Sequence, residues 1–575
     1  MLTIKKFPEH MGDLPIDMTH PNRALISGLF EETAKVNGTE RSFLTYIPEN
    51  QEYCRPCLVT AIPSGNDPVQ YLETSGLKEF ADENELFLHI AYAEKEWKSD
   101  GSDADYLNAV YVRIQARDYY ITMQDNIYLC GIGDASFAAH QAAKRMASEW
   151  SGMMSFGDLS HDLTAEKAKA HGEEDQGEVE LKIQGTAAQL PVWMLVSAYE
   201  GNNRKASEYW QAQNHTCGEP YSGRGADYIW MPNPVRTLNE INEEHISEVR
   251  VKVSDSGFNA EHLHNAWNYI KLARRHRGQG SKCLRYYKDP IACGAVKKTM
   301  DVNGMTRTWY EYVPASCTAD QKWPLVVVMH GRGGSAETFF DLSGMSPVAE
   351  ERKFIAVFPE AGIHQQKKDG LRNVLLWCGE YMGKPVDDVA FIRAMVKDIE
   401  ARLPIDTERV YACGQSSGGM MSDLLSYTAG DIFAAVAPWS ALRSPSRMYA
   451  DFPQSEQITP TMWIYGDKDF LCAGKGEEKI IPFCIEPELR SILSEKLAFY
   501  GIEESDYRTW KTDPISWCAF DDEAGVPLMV IGRVDNMVHA NYPELSWISY
   551  DQFLSHFRKD AEGNVYYCER KINRK

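Results

Sequence analysis

Residues 409–425, with the sequence RVYACGQSSGGMMSDLL, decide the fold of the second half of this chain. The apolar run at the start predicts a buried strand, and the residues after Gly419 predict a helix. Between them lies a G-x-S-x-G pentapeptide, whose glycines permit a sharp turn from strand to helix. Such a turn exposes the Ser416 hydroxyl at a helix amino terminus, where backbone N–H groups stabilise negative charge. Ser416 is therefore the predicted nucleophile. An ordinary tight turn is the alternative, although it would not need Gly419.

The rest of the second half alternates short apolar runs with helical patterns. Four more runs are typical of strands buried on both faces of a parallel sheet; they are 324–329, 354–359, 460–465 and 526–531. Residues 387–396 have helical periodicity, with apolar side chains at helical spacing. Strands that alternate with helices form βαβ units, so we predict an α/β fold with a doubly wound, mostly parallel sheet.

The first half repeats this order of elements in weaker form. The segment 36–48, VNGTERSFLTYIP, is echoed without a gap by 302–314, VNGMTRTWYEYVP. A chain of 575 residues is too long for one hydrophobic core, so two similar domains are expected. The basic, glycine-containing stretch 274–280 ends the first of them. We therefore predict domains at 1–285 and 286–575.

A serine becomes a strong nucleophile when a base takes its proton and a third group orients that base. In this topology the order along the chain is serine, acid, histidine. Asp469 follows the run 460–465 and is the predicted acid, with Asp467 of the same loop as the alternative. His539 follows the last apolar run and is the predicted general base.

A second glycine-rich loop, His330-Gly331-Arg332-Gly333-Gly334, follows the run 324–329. A loop in this place can direct backbone N–H groups towards the serine. We expect the N–H groups of Arg332 and Ser417 to form an oxyanion hole, with Gly333 as the alternative to Arg332. The other interpretation of the loop is a simple tight turn.

Taken together and in order, these motifs resemble the esterases of the polyhydroxybutyrate depolymerase type. That family also includes feruloyl and acetylxylan esterases and has the α/β-hydrolase fold. The resemblance covers about residues 295–560, and the segments that carry it are Arg307 with Tyr312-Val313-Pro314, His330-Gly331, 386–392, 405–411, 414–419, and His539-Ala540 with Tyr542-Pro543.

The resemblance implies a serine esterase that acts through an acyl-enzyme, with the triad carried by Ser416, His539 and Asp469. It implies no metal or organic cofactor. Arg332 stands where secreted depolymerases have a cysteine, which favours a soluble ester of an aromatic, short or hydroxyalkanoic acid over a polymer. Three tryptophans could line an acyl pocket or belong to the core, namely Trp377, Trp439 and Trp517.

The first domain, by contrast, is expected to be a catalytically silent α/β-hydrolase-like copy. Gly133 aligns with Ser416, and Asn259 aligns with His539. Ile62-Pro63-Ser64-Gly65 replaces the loop at His330, and Glu200 falls near the position of the acid. Acyl transfer has no route without a nucleophile and a base.

The composition argues against several partners. With 60 basic and 82 acidic residues the net charge is -22, whereas nucleic acids and anionic membranes require a basic surface. No apolar run has the length of a membrane helix or of a signal peptide, so we expect a cytoplasmic protein. The thirteen scattered cysteines indicate reduced thiols rather than a disulfide framework. A homo-oligomer is compatible with all of this.

Two other functions compete with the esterase. A peptidase of the prolyl-oligopeptidase kind has the same serine turn, but its expected partner is a β-propeller and not a second hydrolase-like domain. A binding or scaffold protein would have lost the activity of both domains. All three triad residues are present in the expected order, and this favours an enzyme.

Overall fold

The computed structural model describes residues 2–7, 26–52, 55–116, 126–165, 188–232, 246–275, 284–367, 371–381, 383–443, 452, 455–474, 481–483, 485–541 and 544–572. They form two compact units, of which one ends at Tyr287 and the next begins at Lys288. Tyr542, Pro543 and most of the basic stretch 274–280 lie outside the described residues.

The first unit is built on one eleven-stranded sheet with the order β1-β2-β3-β5-β4-β6-β7-β8-β11-β10-β9. Its strands are β1 (Ile4–Lys6), β2 (Gly28–Val36), β3 (Thr39–Ile47), β4 (Cys57–Ala61), β5 (Phe87–Ala91), β6 (Ile127–Ile132), β7 (Gly152–Phe156), β8 (Val192–Val196), β9 (Thr216–Gly223), β10 (Ala226–Pro232) and β11 (Val249–Val253), followed by the separate pair β12 (Ala273–Arg275) and β13 (Leu284–Tyr286). Its helices are α1 (Pro68–Thr74), α2 (Leu77–Glu83), α3 (Ser102–Ala116), α4 (Ser136–Arg145), α5 (Gly201–Gln213) and α6 (Ala260–Ile270).

The second unit is built on a ten-stranded sheet with the order β14-β15-β17-β16-β22-β23-β24-β27-β26-β25. Its strands, including three small sheets, are β14 (Val296–Val302), β15 (Met305–Tyr312), β16 (Trp323–Met329), β17 (Ile355–Pro359), β18 (Ile363–Lys367), β19 (Leu371–Leu375), β20 (Glu380–Tyr381), β21 (Lys384–Pro385), β22 (Ile405–Gln415), β23 (Ala435–Trp439), β24 (Thr461–Gly466), β25 (Arg508–Thr512), β26 (Ile515–Asp521), β27 (Pro527–Val534), β28 (Phe557–Lys559), β29 (Val565–Tyr567) and β30 (Arg570–Lys571). Its helices are α7 (Ala336–Leu342), α8 (Met345–Arg352), α9 (Asp388–Arg402), α10 (Ser417–Thr428), α11 (Pro487–Tyr500) and α12 (Glu544–Gln552).

The two sheets have the same topology when the first is read from β2 and the second from β14. In the second unit β17, β16, β22, β23, β24 and β27 are parallel, while the strands beyond them on both sides are antiparallel. The first unit has the same senses in the same places. The prediction of an α/β fold with two doubly wound, mostly parallel sheets is confirmed.

The core of the second unit explains which strands could be recognised in advance. The residues of β16 from Leu325 to Met329 are completely buried, because helices cover both faces of the sheet. Every residue of the antiparallel strand β25 is exposed, and its polar sequence RTWKT does not predict a buried strand.

The parallel strands also determine where a site can form. Parallel strands of one sheet end at a common edge, and ligands bind in the crevice outside this edge. In the second unit β16, β22, β24 and β27 lead at that edge into the loops that carry Arg332, Ser416, Asp469 and His539.

No helix in the described part of the chain is long and apolar enough to span a bilayer. The cytoplasmic location stays a prediction.

Candidate active site

Ser416 occupies the turn between β22 and α10. Its backbone has φ +55° and ψ -117°, a combination that serine adopts only where the surroundings enforce it. Its N–H donates to the carbonyl of Trp439 at 2.9 Å, and its own carbonyl accepts from the N–H of Met420 at 2.8 Å. The turn is therefore held both from the neighbouring strand and from the helix that it opens.

The glycines after Ser416 are required by close backbone contacts. A Cβ at Gly418 would lie 2.1 Å from the carbonyl oxygen of Met329, and one at Gly419 would lie 2.6 Å from that of Trp439. Both distances are far below van der Waals contact, so α10 could not pack this closely on β16 and β23 with larger residues. Gly419, in the first turn of α10, is thus required by the close packing of this helix.

Ser416, His539 and Asp469 form one hydrogen-bonded line. The Nε2 atom of His539 lies 2.9 Å from Ser416 Oγ, and Nδ1 lies 3.0 Å from each carboxylate oxygen of Asp469. Asp469 is completely buried. The carboxylate can only accept, so Nδ1 carries the hydrogen and Nε2 is the acceptor for the serine hydroxyl.

Asp467 has a different environment. Its carboxylate accepts from the N–H of Asn536 at 2.7 Å, and its own N–H donates to the carbonyl of Val534 at 3.0 Å. It therefore ties the loop after β24 to the loop after β27, which carries His539. Of the two aspartates predicted as the acid, the structure brings Asp469 to the histidine.

His556 also follows Asp469 in the sequence, so chain order alone does not select His539. The structure places His556 in a short turn after α12, with its ring 5.6 Å from that of Tyr567. It is His539, after the parallel strand β27, that reaches the serine.

Two neighbours of Asp469 complete its surroundings. Phe470 packs its ring on that of His539, with 5.1 Å between centroids and 62° between planes. Burial, and next the charge of Asp469, raises the pKa of the Cys472 thiol well above its usual range. The thiol thus stays protonated and shares a hydrogen bond with the Asp469 carboxylate. Neither residue was predicted, because their roles depend on contacts between loops that are distant in sequence.

Two backbone N–H groups of the loop after β16 are engaged in hydrogen bonds within the protein. The N–H of Gly333 donates to the carbonyl of Leu375 at 2.8 Å, and the N–H of Gly334 donates to that of Gly331 at 3.1 Å. The N–H of Gly333 is therefore engaged within the protein, and the assignment of the first oxyanion donor to Arg332 stays a prediction. Ser417 is the first residue of α10, and first-turn N–H groups have no acceptor within their helix.

His330 braces this loop. Its Nδ1 lies 2.7 Å from the carbonyl oxygen of Gly331, and its Nε2 accepts from the N–H of Ala361 at 3.0 Å. Burial lowers the pKa of His330 to about 4, so the ring is neutral at pH 7. Trp377 donates from its indole N–H to the carbonyl of His330 at 2.8 Å.

A buried ion pair connects β15 to the first residue of α9. Asp388 accepts from the guanidinium of Arg307 and from the N–H groups of Cys378 and Gly362. Both charged side chains are almost fully buried. The sequence pattern contains both residues, but their partnership spans 81 positions and had no local signal.

The three tryptophans considered for an acyl pocket have different positions. Trp439 is fully buried and donates to Ser549 Oγ at 2.9 Å, and Trp517 is buried against Gly532. Both belong to the core. Trp377 lies beside His330, with 5.4 Å between ring centroids.

The corresponding edge of the first unit has other residues. Gly133 follows β6 with φ +61°. The carboxylate of Asp134 accepts from Ser64 twice, from N–H at 3.0 Å and from Oγ at 2.5 Å. Asn259 caps α6 by accepting from the N–H of His262 at 3.0 Å, and Glu200 precedes α5 with an exposed side chain.

Within the described ranges, no group of three or more His, Cys, Asp or Glu side chains could hold a metal ion.

Comparison with known proteins finds that part of the second unit is similar to esterases. Residues 308–444 match the family model described as "Esterase PHB depolymerase". The putative esterase NocK of Nocardia uniformis subsp. tsuyamanensis is 32% identical over 177 residues, which are 30% of this chain and 47% of that protein. Poly(3-hydroxyalkanoate) depolymerase C of Paucimonas lemoignei is 30% identical over 161 residues, 27% of this chain and 37% of that protein.

A solved acetyl xylan esterase from Aspergillus awamori is also similar, with 14% identity, a TM-score of 0.30, and coverage of 43% of this chain and 94% of that one. The chain spans less than half the length of the two curated relatives. The resemblance predicted from the motifs is confirmed for the region that the family model matches.

Proposed function

We propose that the second unit is a serine carboxylic-ester hydrolase that acts on a soluble ester through an acyl-enzyme. The observation that carries this proposal is the line of hydrogen bonds from Asp469 through His539 to Ser416, at 3.0 and 2.9 Å. It lies at the carboxyl edge of a parallel sheet, in a chain whose residues 308–444 match an esterase family.

The first half of the reaction acylates the serine. Ser416 Oγ attacks the ester carbonyl carbon while its proton passes to His539 Nε2. Asp469 stabilises the imidazolium through Nδ1–H. The N–H groups of Arg332 and Ser417 hold the negative oxygen of the tetrahedral intermediate. The intermediate collapses, His539 gives its proton to the departing alcohol, and the acyl group stays on Ser416.

The second half releases the acid. His539 Nε2 takes a proton from water, whose oxygen attacks the acyl carbon. The same two N–H groups hold the second oxyanion, and the proton returns from His539 to Ser416 Oγ. His330 takes no part in proton transfer, because it is neutral and both of its ring nitrogens are engaged inside the protein.

The same proposal assigns no catalysis to the first unit, a degenerate copy of the second. Gly133 supplies no nucleophile, and Asn259 supplies no base. Ser64 corresponds to Arg332, and its N–H is bound to the carboxylate of Asp134. The carboxylate of Asp134 therefore occupies the N–H group that an oxyanion would need.

The test is labelling with a fluorophosphonate, together with hydrolysis of p-nitrophenyl acetate. Wild type should be labelled and active, and Ser416→Ala should lose the label and about 10⁴-fold or more of the activity. Ser505→Ala, at an exposed position of the same unit, is the matched control and should behave as wild type.

Other outcomes would favour the competing functions. Labelling without ester hydrolysis, but with cleavage of a proline-containing peptide, would favour a peptidase. Absence of both labelling and hydrolysis in the wild type would favour a binding protein.

A further inference from the structure

A cavity of about 430 Å³ lies beside Phe470, the residue that follows Asp469, and its described lining residues all belong to the second unit. Its volume falls in the range of pockets that bind small molecules. Most of the lining is apolar and comes from α10, α11 and the loops after β23 and β24; its large apolar residues are Met420, Leu442, Phe470, Leu471, Leu489 and Ile492. Arg443, Glu486 and Glu488 supply charges to the wall.

Phe470 connects this cavity to the catalytic histidine. Its ring packs edge-on against His539, 5.1 Å between centroids, while 53% of its surface remains exposed. Leu471, the next residue, is 39% exposed and also lines the cavity. The exposure of two adjacent large apolar side chains to water raises the free energy of the protein. An apolar ligand that covered them would recover this free energy.

The position of the cavity indicates which part of an ester it receives. The carbonyl oxygen of the ester must point to the N–H groups of Arg332 and Ser417, whereas the alcohol oxygen must approach His539 Nε2 to receive its proton. Phe470 touches the histidine. None of the described residues that line the cavity belongs to the loop 330–335. The contact of Phe470 with the histidine favours the side of the leaving alcohol.

We infer that this cavity binds the alcohol part of the substrate, and that Phe470 selects alcohols with an apolar or aromatic group. The inference rests on the proposed esterase activity. When the tetrahedral intermediate collapses, the bond between the acyl carbon and the alcohol oxygen breaks. The electron pair goes to that oxygen, which takes the proton from His539 Nε2. The alcohol then departs along the ring of Phe470.

The test varies the alcohol at constant acyl group. We compare kcat/KM for benzyl acetate and methyl acetate in wild type, Phe470→Ala and Leu489→Ala. Loss of the aromatic contact should lower the benzyl-to-methyl ratio about tenfold in Phe470→Ala. Leu489→Ala should also lower this ratio, because Leu489 lines the cavity without touching His539. The control is Tyr507→Ala, an aromatic residue 41% exposed in the same unit, which should leave the ratio unchanged.

A second series varies the acyl group at constant alcohol, with methyl acetate, butyrate and hexanoate. The relative rates in this series should be the same in Phe470→Ala and in wild type. A change confined to the acyl series, or equal losses for benzyl and methyl acetate, would overturn the inference.

Binding measured without turnover separates this inference from the proposed function. In Ser416→Ala, benzyl alcohol should give saturation-transfer NMR signals that disappear in the double variant Ser416→Ala/Phe470→Ala. Equal signals in both proteins would overturn the alcohol site even if the wild type hydrolyses esters. If the wild type hydrolyses no ester, the proposed function fails, and the NMR result still reports on the cavity.

Discussion

Replacement of Asp469 by asparagine should nearly abolish ester hydrolysis, because it changes which nitrogen of His539 carries the hydrogen. Both carboxylate oxygens lie 3.0 Å from Nδ1, and Oδ1 also accepts from the N–H of Leu471 at 2.9 Å. Asparagine has a single acceptor oxygen. If that oxygen keeps the bond from Leu471, the amide NH₂ faces Nδ1.

Nδ1 must then accept a hydrogen bond, so Nε2 carries the hydrogen and can no longer take the proton of Ser416. The loss of the correct tautomer in a triad of this type lowers kcat by about 10⁴-fold. At 25 °C this corresponds to about 5 kcal/mol of transition-state stabilisation. The geometry of the site should otherwise be preserved, because the two side chains have the same shape.

The matched variant is Asp467→Asn in the same loop. Asp467 only accepts from the N–H of Asn536, and an amide oxygen can still do so. We expect a change of less than about threefold in kcat and at most about 1 kcal/mol in stability. Both proteins would be assayed with p-nitrophenyl acetate after circular dichroism shows that they are folded. A large loss in Asp467→Asn with activity retained in Asp469→Asn would refute the reasoning.

Three further predictions concern other parts of the molecule. Gly133→Ser should not restore hydrolysis to a Ser416→Ala protein, since asparagine (Asn259) and not histidine aligns with His539; any turnover above that of Ser416→Ala would contradict the proposal that the first unit is silent. Asp388→Ala should lower the free energy of unfolding by about 3–5 kcal/mol in urea titrations, because it leaves the buried charge of Arg307 unpaired; a loss below 1 kcal/mol would show that the pair can be dispensed with. Burial lowers the pKa of Lys559 from 10.5 to about 7, so the unfolded chain binds one more proton between these values and stability should rise by about 4 kcal/mol from pH 7 to 10.5. Lys559→Met should flatten this rise, whereas the exposed Lys571→Met should not; identical pH profiles of the two variants would contradict the assignment.

The parts of the site that could be predicted have causes within a few residues. The turn at Ser416 needs small neighbours because Gly418 and Gly419 touch the backbones of two other strands. The buried parallel strands need continuous apolar runs. Both requirements produce patterns that can be recognised in the sequence, namely small residues at the turn and continuous apolar runs.

The parts that could not be predicted depend on distant segments. The choice between Asp467 and Asp469 depends on where the loop with Asn536 and His539 lies. The hydrogen bond that engages the N–H of Gly333 depends on the carbonyl of Leu375, more than 40 positions away. In the sequence Phe470 is only a loop residue, and its role follows from its contact with His539 in a different loop. An exposed edge strand such as β25 is stabilised by hydrogen bonds to its neighbour β26 rather than by burial of its side chains.

The two units differ in the strain at their corresponding turns. Ser416 and Gly133 both have a positive φ, +55° and +61°. For serine this conformation costs roughly 1–3 kcal/mol, whereas glycine adopts it freely. A turn with this conformation therefore costs folding stability when its residue is serine, and glycine at the same place avoids that cost. Under the proposed function, the second unit bears this cost for the chemistry at Ser416, and the first unit, with glycine at the corresponding position, does not.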